Sequence, residues 1–251
     1  MARPKKRRPV TQNEPTLAVV IDPGHGGRDS GATWRSERGK LLMEKDINRD
    51  VAMRIPGFLP AYVSYYMTRD RDETISLRNR VLHPFHYDLF VSIHCNAIAE
   101  RQEEVRGSEV YIQTTKDAWL MEVGYAFVTA VGDALKTGVN DPNPVRSNPH
   151  LRVLSLADRI RNKFGRSRSV LRRAPGDPTR GMRDVGTPAF LIELAYMTNA
   201  ADRKALVTKA RRNAAAQAIA DVIASIAPQP DPAAGVGAYE AEENDEVPEE
   251  E

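Results

Sequence analysis

The stretch Val19-Val20-Ile21-Asp22-Pro23-Gly24-His25-Gly26-Gly27 decides how the rest of the chain is read. Its run of β-favouring residues stops at Pro-Gly, which predicts a buried strand ending in a tight loop. The glycines let that backbone pass close to whatever His25 holds. In α/β proteins ligands collect outside the carboxyl ends of strands, where this histidine would lie. Alone, His25 would read as a turn histidine in water; three other residues change that.

The two ends of the 251-residue chain differ from its middle. Residues 1–16 hold five bases and one acid, whereas residues 228–251 hold nine acids, no base and four prolines. Such segments bury too little apolar surface to fold, so a disordered basic arm (1–16) and a disordered acidic tail (228–251) are expected around one domain, residues 17–227. The whole chain carries a net +2, and the domain without its tails about +7, which suits an anionic partner such as cell-wall polymer or nucleic acid. The basic arm reads as a solubilising tail, with a nucleic-acid-binding arm as the alternative; no nucleic-acid partner is expected.

One cysteine excludes an internal disulfide framework and a zinc site built of several thiolates. No apolar segment follows the basic N-terminus and no run of 18 apolar residues occurs, so neither a secretory signal nor a membrane span is expected. On that reading the protein is cytoplasmic as synthesised. A monomer is expected.

Glu44 to Ile55 carries Ile47, Val51 and Ile55 at helical spacing and predicts a helix that Pro56-Gly57 ends, with Glu44 in its first turn. An acid there also has a plain cause, since it opposes the positive end of the helix dipole. Tyr62–Thr68 reads as a strand and Thr74–Leu82 as a helix, closed by His83 and His86 as cap and loop residues. Leu89–Ile93 is the next buried strand and runs into His94-Cys95, which should point to opposite faces, leaving Cys95 in the core. Ser108–Gln113 is a further strand after a short charged loop. Residues 117–136 form an amphipathic helix over Leu120, Val123, Phe127, Val131 and Leu135. Asn140–His150 is a loop, Leu151–Phe164 a helix and Arg166–Gly186 an arginine-rich loop. Ala189–Leu194 is the last strand, apolar except for Glu193. Ala200–Ile226 closes the fold as one helix lined by Leu206, Ala210, Ala214, Ala218 and Val222. Alternating strands and helices predict a single α/β domain with a mostly parallel central sheet flanked by helices on both faces.

A catalytic zinc ion commonly takes three His or Asp/Glu ligands and keeps a fourth position for water. His25, Glu44 and His94 supply that set from two strand ends and a helix start, places that can converge above one edge of a parallel sheet. Glu193 is a lone carboxylate in an apolar strand, costly to bury without a partner or a task. Beside such a metal it could take a proton from water and return it to a leaving amine.

At these residues the chain resembles the zinc-dependent N-acetylmuramoyl-L-alanine amidases that cut stem peptides from bacterial peptidoglycan. Val20–Ala32 is similar to their first signature, Glu44-Lys-Asp-Ile-Asn48 to their second, Phe90–Ala97 to their third, and Pro188–Glu193 with Thr198-Asn199 to their last. Thr68-Arg69-Asp70 and Arg80 also fall where the family has them. The resemblance, over about residues 18–226, implies His25, Glu44 and His94 as ligands of one Zn2+, Glu193 as catalytic acid/base, and peptidoglycan as substrate. Cell-wall lysis or remodelling follows, including a phage or prophage lysis enzyme; a non-catalytic wall-binding module of the same fold is the alternative. Ala195-Tyr196 stands where the family usually has Gly-Phe. Some relatives carry an inserted helix that blocks the zinc until a partner removes it. For residues 117–136 a plain sheet-covering helix is expected instead, leaving the site open; Glu122 is the acid that would reach the metal in the blocking case.

Overall fold

The computed structural model describes residues 16–37, 39–81, 87–98, 104–147 and 187–229. The expected N-terminal arm and C-terminal tail lie almost wholly outside the described residues. So do His83 and His86, the expected helix at 151–164 and the arginine-rich loop at 166–186.

A six-stranded sheet organises the domain. In chain order the elements are β1 (Leu17–Pro23), β2 (Thr33–Arg35), β3 (Leu41–Met43), α1 (Glu44–Ala52), β4 (Val63–Met67), α2 (Leu77–Val81) and β5 (Leu89–Asn96). They continue as β6 (Glu109–Ile112), α3 (Ala118–Leu135), β7 (Val145–Ser147), β8 (Ala189–Tyr196), α4 (Ala200–Val207) and α5 (Lys209–Ile226). The sheet runs β4-β1-β5-β8-β6-β7. All neighbours are parallel except β6 and β8, so the sheet is mixed but mostly parallel, as the alternation of elements predicts.

Side chains of successive strand residues divide between the two faces. Leu17, Val19 and Ile21 of β1, with Leu89, Val91 and Ile93 of β5, join the large core under α1, α3, α4 and α5. Val20 and Phe90 join Tyr87 and Ala189 in a smaller cluster on the other face. Central strands buried on both sides have to read as continuous apolar runs, which is how β1, β5 and β8 appear in the sequence.

Several boundaries differ from the sequence reading. α1 stops at Ala52, and Ile55 is buried in a short 3-10 turn, Ile55–Phe58. Pro56 explains this, because it lacks an N–H and disfavours helical backbone in the residue before it. The terminal helix is two helices. Thr208 adopts extended backbone (φ −83°, ψ 113°), which ends α4 and starts α5. That break resets the helical phase, so Ala215, Ala216, Ile219, Ala220 and Ile223 join the expected Val222 on the buried side, Leu206 is buried in α4 as expected, and Ala210 is exposed. Three short strands were not anticipated: β2 and β3, a hairpin in the polar stretch before Glu44, and β7 in the expected 140–150 loop. Three-residue strands are too short to carry a periodic signal.

α3 matches its expected span and covers the sheet. Leu120, Val123, Phe127, Val131 and Leu135 are buried, Asp117 caps the N-terminus by accepting from Leu120 N, and Glu122 is exposed. Removing residues 117–136 should therefore abolish cooperative unfolding in circular dichroism without releasing latent activity. Gly132 gives a finer test of this packing. Alanine usually favours a helix interior over glycine by about 0.5–1 kcal/mol. A Cβ at 132, however, would lie 2.6 Å from the carbonyl oxygen of Gly138, a backbone atom that cannot swing aside. Gly132→Ala should lower stability by about 1–3 kcal/mol, seen as a lower denaturant midpoint with an unchanged m-value.

Candidate metal centre

After β1 the chain builds β4 on one side of it and later β5 on the other. The carboxyl ends of β1 and β5 therefore flank the switch point where α/β sheets open a crevice. His25 stands two residues beyond β1, and His94 lies near the end of β5. Glu44 opens α1, its backbone N–H held by Ala32 O at 2.9 Å.

These three side chains meet. His25 Nε2 and His94 Nδ1 each lie 3.1 Å from Glu44 Oε1, and one donor atom from each residue falls within 4.8 Å of the others. The imidazoles cross edge to face at 75° with centroids 4.9 Å apart. His25 Nδ1 pairs with Asp29 Oδ2 at 2.9 Å, which fixes the ring and turns Nε2 inward. Glu44 is fixed as firmly: Cys95 N donates to Oε1 (3.0 Å), Ala32 N to Oε2 (2.8 Å) and Asn48 Nδ2 to Oε1 (3.1 Å). Cys95 itself is buried in the main core, on the face opposite His94 as strand alternation predicts.

Backbone makes room for this cluster. A Cβ on Gly24 would stand 2.3 Å from the His94 ring, and one on Gly31 would strike Glu44 Oε2 at 2.5 Å and the His25 ring at 2.6 Å. Gly31 also needs its positive φ of 62°.

Charge follows geometry. Burial alone would raise Glu44, but the two imidazoles hold its carboxyl well below the usual carboxylate range. Burial likewise opposes the charged form of His25, yet hydrogen bonds and charge from Glu44 and Asp29 lift the imidazole to about 9. Two imidazole nitrogens and one ionised carboxylate aimed at a common point fit a divalent cation of the borderline-soft kind.

Glu193 lies in β8 directly beside His94 in the parallel register of β5 and β8. Its Oε2 is closed off from solvent and has no hydrogen-bond partner among the described residues. Burial raises its pKa to about 7, with the charges of Glu44 and Glu109 adding to the effect and His94 opposing it.

A family model described as N-acetylmuramoyl-L-alanine amidase matches residues 19–225. The chain belongs to that amidase family. The amidase AmiC of Escherichia coli is 29% identical over 221 residues, covering 81% of this chain and 51% of its own length. The amidase LytC of Bacillus subtilis is 30% identical over 219 residues, covering 81% and 34%. The chain thus spans about half of one relative and about a third of the other. Among solved structures, the amidase AmiC2 of Nostoc punctiforme is 30% identical and superposes with a TM-score of 0.60 over 85% of this chain and 98% of its own. The CwlV catalytic domain from Bacillus (Paenibacillus) polymyxa, 25% identical, gives the same TM-score over 83% and 97%.

Within this amidase fold, one site residue escaped the sequence reading. Glu109 faces Glu193 in the antiparallel register of β6 and β8 and is fully buried. Its carboxylate accepts from Asn96 Nδ2 (2.9 Å), Tyr111 OH (3.0 Å), Tyr196 OH (2.7 Å) and Asn140 Nδ2, and pairs with Arg146 at 3.2 Å. The signal that marks Glu193, a carboxylate inside a β-favouring run, was present at Glu109 too. The Tyr196 hydroxyl is one of the donors to Glu109.

The raised His25 value gives a signed test. Below pH 9 the metal-free imidazole holds a proton that a cation must displace, so zinc affinity from chelator competition should rise by about tenfold per pH unit and level off above pH 9. An affinity that stays flat between pH 6 and 8 would show that zinc displaces no proton from His25 over that range.

Proposed function

We propose that this chain is a zinc-dependent amidase acting on the bacterial cell wall. Its reaction is hydrolysis of the amide between the lactyl group of N-acetylmuramic acid and L-alanine in peptidoglycan. The observation that carries the reading is the convergence of His25, Glu44 and His94 beside Glu193, whose buried Oε2 has no hydrogen-bond partner among the described residues.

His25, Glu44 and His94 would hold one zinc ion through two ring nitrogens and a carboxylate oxygen. Zinc bound there supplies Lewis acidity, making a water more acidic and a carbonyl more electrophilic. Glu44 stays ionised to balance the cation, while Asp29 and the Glu44 anchors keep the donor set from rearranging. Glu193 does the proton work. Its pKa near 7 lets its carboxylate accept a proton from the attacking water, and the resulting acid can give that proton to the departing L-alanine nitrogen.

Glu193→Gln keeps the volume and removes the base. The variant should bind zinc and peptidoglycan like the wild type while turnover, read as new L-alanine amino termini, falls by about 10² or more. Positive charge in the site favours ionised Glu193, so the acidic limb of kcat/KM for the wild type should lie at or below pH 7 and vanish in the variant. Undiminished turnover in Glu193→Gln would take Glu193 out of the reaction. Wild-type protein that binds the wall with zinc present but frees no L-alanine termini would instead be a binding module of this fold.

A further inference from the structure

The loop that presents His25 is an uncomfortable piece of backbone. His25 has φ 58°, Gly26 φ 131° and Gly27 φ 59°. A non-glycine residue in the left-handed region costs roughly 1–2 kcal/mol and persists only where its surroundings dictate it. Two buried arginines provide those surroundings. Arg69, 2% exposed, donates from Nε to Pro23 O (3.0 Å) and from Nη2 to Gly24 O (2.9 Å) and to Lys45 O (3.1 Å). Its Nη1 reaches Arg71 O at 3.2 Å. Arg80 donates from Nη1 to Asp22 Oδ1 (2.7 Å) and Pro23 O (2.8 Å), and from Nη2 to His25 O.

Three consecutive carbonyls, those of Pro23, Gly24 and His25, thus point into two guanidinium forks. Arg69 adds a second bond of a different kind. Gly24 O precedes His25 and Lys45 O follows Glu44, so a single rigid, planar group ties together the backbone beside two of the three clustered residues. Asp22, buried at the end of β1, completes the device: it neutralises Arg80 and accepts from the hydroxyls of Thr68 and Ser92.

We infer that Arg69 and Arg80 are positioning residues: Arg80 holds the loop that presents His25, and Arg69 fixes the distance between that loop and Glu44, before any cation arrives. The inference rests on the reading of His25, Glu44 and His94 as metal ligands. Lysine cannot replace either residue, since an ammonium offers its donors from one point and cannot reproduce the fork by which Arg69 spans carbonyls on two segments and Arg80 reaches Asp22, Pro23 and His25 together. Arg69 has a further reason to be arginine. Its hydrogen bonds run to carbonyls instead of to a carboxylate, a setting that a weakly hydrated, delocalised cation tolerates better than an ammonium.

The test uses the full chain and reads zinc affinity by chelator competition, the visible spectrum of the cobalt-substituted protein, and the melting temperature of the metal-free protein. Arg69→Lys should weaken zinc binding about 10- to 100-fold and alter the cobalt bands. Val131→Ala, in the core beneath α3, should lower the melting temperature while zinc affinity and the cobalt spectrum stay as in the wild type. If Arg69→Lys does not fold, Thr68→Val carries the test, because it removes one hydroxyl from Asp22 and leaves both guanidiniums in place. That variant should still weaken zinc binding about threefold. Wild-type zinc affinity and cobalt bands in folded Arg69→Lys, or wild-type affinity in Thr68→Val where that variant is needed, would overturn the positioning role. A wild-type chain that binds no zinc would overturn the metal reading, and this inference with it.

Discussion

The carboxylate of Glu44 is the point on which the structure turns. It is buried and ionised, a combination that is costly unless every lone pair finds a donor. The fold supplies five: two imidazoles, the N–H of Cys95, the N–H of Ala32 and the amide of Asn48. They come from four local structures. His25 belongs to the loop after β1, His94 and Cys95 to β5, Ala32 to the approach to the β2–β3 hairpin, and Asn48 to the next turn of α1. Satisfying this one group therefore fixes the mutual position of two parallel strands, a helix start and a hairpin, and the same constraint draws the cationic and metal-binding chemistry to one spot.

The sheet makes that convergence inexpensive in strain. Because β1 and β5 are adjacent but not consecutive in the chain, their carboxyl ends lie side by side, and the start of α1 brings Glu44 to His25 and to His94 and Cys95 there. His94 and Cys95 then split across the sheet, one toward the site and one into the core, by ordinary pleating. What the sheet does not supply is the left-handed turn at His25. That comes from the arginines beneath it, whose charge is partly balanced by Asp22. A buried ion pair of this kind adds little net stability. Its value lies in holding a geometry the backbone would otherwise leave.

Three of the four residues of the proposed chemistry were legible in the sequence because each breaks a local rule, whereas Glu44, an ordinary acid for its position, was marked by the family resemblance. His25 sits among glycines, His94 and Glu193 interrupt or end apolar strands, and Glu44 stands at a helix start. Only their convergence was beyond spacing to prove, and the structure brings His25, Glu44 and His94 within 4.8 Å. The supporting residues were less visible. Arg69 and Arg80 look like surface charges in a polar stretch, since nothing in their neighbours announces that they will be spent on carbonyls. The phase of the last helix failed for a related reason. Thr208 is one extended residue inside a sequence whose alanines fit a helix at almost any register, so the pattern could not locate the break.

Glu193 and Glu109 face each other across β8 and β6, two carboxylates of the same chemistry at neighbouring points of one sheet. Their surroundings differ. Glu109 accepts from two tyrosine hydroxyls and two asparagine amides and pairs with Arg146. Glu193 has a buried oxygen without a hydrogen-bond partner among the described residues, and burial raises its pKa to about 7. The negative charge fixed on Glu109 adds to that rise, since two close carboxylates resist ionising together. Glu109 thus spends its oxygens on fixed structural partners, whereas burial leaves Glu193 near the pH at which a proton can move both ways, and that difference supports giving the acid/base role to Glu193.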